Sequence, residues 1–86
     1  MKNRHWKQAA EAHGGKLASA VQRSHDAVKA GKNEKERLTN FVNEFADQAK
    51  RMVAAGATVA DFEAALLHTT SNIAVIKDGI KHGIDD

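Results

Sequence analysis

Cysteine and proline are both missing from the 86 residues, and each absence closes off a class of structure. Without thiols, neither a disulfide nor a thiolate metal site can staple the chain. Its stability must come from packing or association, and a reducing, cytoplasmic setting is the expectation. Without proline, and with Ala, Lys, Glu and Leu filling the stretches between six glycines, helices meet little interruption. No alternating apolar–polar run of strand length occurs, so sheet is not expected. Long hydrophobic runs are lacking too: the longest uncharged stretch beyond residue 30, residues 64–76, contains His, Thr, Ser and Asn. Neither an export leader nor a membrane span is expected.

What remains is the composition of a folded domain. Apolar residues make up 42% and charged residues 28%, whereas a disordered chain of this length would have fewer aliphatic side chains and a larger net charge. A chain this short has too little interior for two cores, so residues 1–86 read as one domain. The net charge of +2 hides a gradient: residues 1–32 hold seven Lys/Arg against two acids, and residues 57–86 two against five.

Periodicity predicts three helices. In the first, over about 3–30, Trp6, Ala10, His13, Leu17, Val21, Ser24 and Val28 recur at steps of three or four, and the stripe stays in phase across a candidate kink at Gly14-Gly15. Gly31 suits a left-handed cap, and Asn33 followed by Glu36 has the spacing of an N-cap with a reciprocal acid. The second helix, 34–55, carries Leu38, Phe41, Val42, Phe45, Ala49, Met52 and Val53 as its apolar stripe, and Gly56 closes it. Thr58 and Asp61 cap a third helix, 59–80, whose core stripe is Val59, Phe62, Ala65, Leu66, Thr69, Ile73, Ile76 and Ile80, with Gly79 or Gly83 as its end. Two short turns give an antiparallel, up-down-up three-helix bundle, with self-association through the third helix as a further expectation.

That third helix carries the candidate site. Opposite its core stripe, Ala64, Leu67, Ser71, Ala74 and Val75 form a second small-and-apolar face, with no charged side chain between Glu63 and Lys77. In a bundle each helix normally keeps one face in water, so a second uncharged face implies a protein partner or another copy of the chain. Its polar flank is His68 and Asn72. The alternative that leaves this face without a partner is a central or merely alanine-rich helix.

Other chemistries rank lower. A basic N-terminal set, Lys2, Arg4, Trp6, Lys7, Lys16 and Arg23, would serve a nucleic-acid-associated accessory protein, but the helix 1 cations are dispersed and interrupted by Glu11 and Asp26. The five histidines are separated by 8, 12, 43 and 14, so none forms a helical i,i+4 metal pair. Asp61, His68 and Ser71 share a helix but point in different directions, and Gly14-Gly15-Lys16 lacks the rest of a phosphate-binding loop. Neither catalytic residues, a cofactor nor a metal is expected. The leading expectation is a non-enzymatic adaptor, subunit or inhibitor, such as a phage or plasmid might direct at a larger host complex.

Overall fold

A computed structural model describes residues 15–85, with side chains from Val21 onward. The described residues are all-helical, in four helices: α1 (Gly15–Ala30), α2 (Glu34–Ala54), α3 (Val59–Ser71) and α4 (Ile73–His82). Trp6, Ala10 and His13, with the part of the first expected helix before Gly15, lie outside the described residues. Contacts pair residue 27 with 40 and residue 23 with 44, so α1 and α2 run antiparallel. Residue 37 meets residues 80 and 81, so the end of α4 lies against the start of α2.

The caps follow the chemistry of their residues. Asn33 Oδ1 accepts the Glu36 amide at 2.9 Å, while the Glu36 carboxylate takes the amide of Lys32 at 2.7 Å, one residue earlier than a reciprocal box would place it. Thr58 and Asp61 form the full reciprocal box, at 3.2 and 2.9 Å. Gly56, at φ +87°, closes α2: its amide bonds Val53 O and that of Ala57 bonds Met52 O, the two bonds of a Schellman end. Gly83, at φ +83°, ends α4. Gly31 corrects the expectation of a left-handed cap, because its φ is not positive. It is needed for space: a Cβ there would collide with Cγ of Arg37 and lie 2.8 Å from the Arg37 backbone.

The third leg is not the single helix expected over 59–80. It breaks at Asn72, the last of a run of four short polar residues. Thr69 Oγ1 bonds Ala65 O, Thr70 Oγ1 bonds Leu67 O, Ser71 Oγ bonds Leu67 O and His68 O, and Asn72 Nδ2 bonds His68 O at 2.9 Å. Side chains that bond back to the preceding turn compete with the backbone for its carbonyls and bend helices. Four in succession account for the interruption.

The core is small. Val21, Val28, Ile76 and Ile80 are buried, Val28 fully, and Phe41, Val75 and Ile84 pack against them. Three expectations fail here. Leu38, Val42 and Val53 of the expected α2 stripe are exposed, as are Val59, Phe62, Leu66 and Ile73 of the expected third stripe, while Val75 is drawn inward. The cause on α2 is a second stripe, Arg37, Asn40, Glu44 and Gln48, which is half-buried and meets the neighbouring helices. Asn40 Nδ2 donates to Ala27 O at 3.0 Å, Arg23 pairs with Glu44 at 3.5 Å, and Gln48 bridges Ser24 and Glu44. Because this seam is polar, part of the apolar stripe of α2 is left in water.

Arg37 does the most distant work. Its Nε donates to Ile80 O at 2.6 Å and a terminal nitrogen reaches Lys81 O at 3.3 Å. These carbonyls belong to the last turn of α4 and have no partner within the helix, and a cation is favoured at that end of the helix dipole. Hydrogen bonds from charged donors contribute about 1.5–3 kcal/mol each. Arg37→Ala is therefore expected to lower the unfolding free energy by about 2 kcal/mol in urea titrations. Arg37→Lys, which keeps the charge without the fork, should restore less than half.

Candidate functional site

The leg formed by α3 and α4 has an inner and an outer side. Ala65, His68, Thr69, Asn72, Val75, Ile76 and Ile80 are half-buried or buried on the inner side. Glu63, Leu66, Leu67, Thr70, Ile73, Ala74 and Lys77 are exposed on the outer one. Their spacing by three or four is kept in sequence from α3 across Asn72 into α4, and all seven are exposed. Leu67 is 68% exposed and Ile73 54%.

Of the residues singled out in the sequence, Ala64, Leu67, Ser71 and Ala74 are exposed, and His68 and Val75 are not. His68 is half-buried between a cavity of about 40 Å³ at the core and a larger groove. Val75 packs on the core cluster. The Ser71 hydroxyl is committed to the carbonyls of Leu67 and His68, and Asp61 to its cap, so Asp61, His68 and Ser71 do not converge. Leu66 and Ile73, read from the sequence as core, lie beside Leu67 on the outer face. Only the exposures separate the two phases of this leg, since both are apolar.

The groove, about 690 Å³, lies between the second half of α2 and α3, with Phe45, Met52, Phe62 and Ala65 among its walls. Its rim carries Arg23, paired with Glu44, and Arg51, paired with Asp47 at 2.7 Å. Of the basic set considered for nucleic acid, only Arg23 has a described side chain; Lys2, Arg4, Trp6 and Lys7 lie outside the described residues, and only the backbone of Lys16 is described. Among the described residues, no three His, Asp or Glu side chains are grouped to hold a metal ion, and no helix is long and apolar enough to cross a membrane.

One ionisable cluster went unnoticed in the sequence. His25 is buried on α1 between Val21 and Val28, and its Nδ1 lies 2.9 Å from Asp26 Oδ1. An ionised carboxylate only accepts, so Nδ1 carries the proton and donates. The Gln22 amide donates to the same oxygen at 3.0 Å, and its 3.4 Å approach to Nδ1 is then a contact between two donors. The His25 bond, aided by Gln22 and by the charges of His25 and Lys29, holds the Asp26 carboxyl below its ordinary 3.8 against a smaller effect of burial. A depressed acid stabilises the fold fully above its unfolded value, and the stabilisation is lost as pH falls through the lower folded value. Asp26→Asn should therefore lower stability at pH 6 and leave it unchanged near pH 2, as read from thermal midpoints at the two pH values.

Compared with protein-family models, curated proteins and solved structures, the chain matches none.

Proposed function

We propose that the protein is a non-enzymatic protein–protein interaction module, an adaptor, subunit or inhibitor, working through the outer face of α3 and the start of α4. The observation that carries this reading is the exposure of Leu66, Leu67 and Ile73 side by side on a stretch without charge from Ala64 to Ile76. Single exposed aliphatic residues are ordinary, whereas contiguous ones mark surfaces that another chain covers. Val59, 85% exposed, stands apart at the start of the same leg, beyond Glu63.

The physical character of the surface also fixes how it binds. Apolar contact is nearly indifferent to salt, while phosphate contacts weaken steeply as ionic strength rises. The reading of an inhibitor of a larger host complex belongs to the same class, since an inhibitor of this kind works by covering a surface of its target.

The test is capture of partners by the tagged full chain from lysate of its source cells, at low and high salt, with nuclease. A protein retained by the wild type at high salt and lost, by at least tenfold, with Leu67→Glu is the expected result. Because Leu67 is exposed, the variant's unfolding free energy should stay within about 0.5 kcal/mol of the wild type. Salt-labile, nuclease-sensitive recovery of nucleic acid would replace this reading with the basic-segment one.

A further inference from the structure

The outer face is complementary to itself. Along it stand Glu63, Leu66, Leu67, Thr70, Ile73, Ala74 and Lys77, all exposed, and among the described residues neither Glu63 nor Lys77 forms an ion pair. The order is symmetric in chemistry about Thr70. Three residues out on either side are Leu67 and Ile73, four out are Leu66 and Ala74, and seven out are Glu63 and Lys77.

We infer that this face docks a second copy of the same chain, antiparallel, about a two-fold axis passing beside Thr70. The inference rests on the reading of this face as an interaction surface and names its occupant. In such an isologous contact each pair occurs twice. Leu67 meets Ile73 of the second copy, Leu66 meets Ala74, and Glu63 at each end meets an opposite charge in Lys77. A parallel arrangement would set Glu63 beside Glu63 and Lys77 beside Lys77, so charge alone selects the antiparallel one. Asn72 lies half-buried on the inner side and takes no place in the contact.

The extent of the face agrees with a pairing of modest strength. Its aliphatic side chains, with Thr70 and the stems of Glu63 and Lys77, offer on the order of 500 Å² per copy, or about 1,000 Å² in total, the lower bound of specific interfaces. The centre needs no charge to be desolvated. The ion pairs sit at the rim, where they select orientation more than they add affinity.

Charge exchange tests the pairing with the full chain. Sedimentation or light scattering from about 1 to about 500 μM should show the wild type passing from monomer to dimer. Glu63→Lys gives two lysine pairs at the ends and Lys77→Glu two glutamate pairs, so each variant alone should dimerise about ten- to thirty-fold more weakly. Mixed one to one, the two variants should recover wild-type association, because every end then joins opposite charges. Circular dichroism of each variant alone checks that neither has unfolded. A wild type that stays monomeric at about 500 μM, or a dimer indifferent to both exchanges and to their mixture, overturns the inference. Either result leaves the interaction-module reading to be decided by partner capture with Leu67→Glu, which does not depend on self-association.

Discussion

The carbonyls left over at the ends of α1 and α4 are the constraint around which this fold is arranged. An α-helix has no internal partners for its last four C=O groups, and burying them unsatisfied is costly. Here α2 supplies partners to both neighbours from its first two turns. Asn40 donates to Ala27 O of α1, and Arg37 donates to Ile80 O and Lys81 O of α4. Gly31 lets the chain reverse close against the Arg37 backbone, and Gly83 turns it away beside the guanidinium, whose nearest nitrogen would lie 3.8 Å from a Cβ at that position. Three helix ends converge there, and Val28, Ile76 and Ile80 are buried near them.

At the opposite end the caps are local. The Gly56 turn completes α2, and the Thr58–Asp61 box starts α3, and both satisfy the local backbone. The run Thr69-Thr70-Ser71-Asn72 then bends the leg, so α4 follows the core while α3 borders an open groove. Among the described residues, side chains of α2 fasten the converging helix ends, and a groove opens between the second half of α2 and α3. Exposed apolar residues lie at both ends, Leu38 and Val42 beside Arg37 and Asn40, and Val53, Val59, Leu66 and Leu67 toward the Gly56 turn.

Much of this was legible in the sequence, and the omissions have definite causes. Caps were readable because they depend on local chemistry: Asn33, Gly56, Thr58 and Asp61 do what their spacing implies. The break at Asn72 was hidden because Thr69 and Asn72 fall in phase with the inner stripe, and periodicity records phase while ignoring back-bonding. On α2, Leu38, Phe41, Val42 and Phe45 draw attention to an apolar arc. The seam is made by Arg37, Asn40, Glu44 and Gln48, whose partners are on other helices and leave no local sign. Gly31 stands where a left-handed cap would, but the Arg37 backbone it makes room for leaves no sign in the residues beside it. On the third leg both faces carry aliphatic residues, so Leu66, Ile73 and Val75 changed sides once exposure could be seen.

The fastening of the helix ends by α2 is tested most directly by amide hydrogen exchange followed residue by residue in dilute solution. Opening free energies differ among segments and approach the global value only where packing and hydrogen bonds are concentrated. The account predicts the slowest exchange at the α1 amides near Val28 and the α4 amides from Ile76 to Ile80, with those of Phe62 to Leu67 in α3 faster by at least tenfold. Equal protection of α3 and α4 would contradict it, since the whole third leg would then open as one unit.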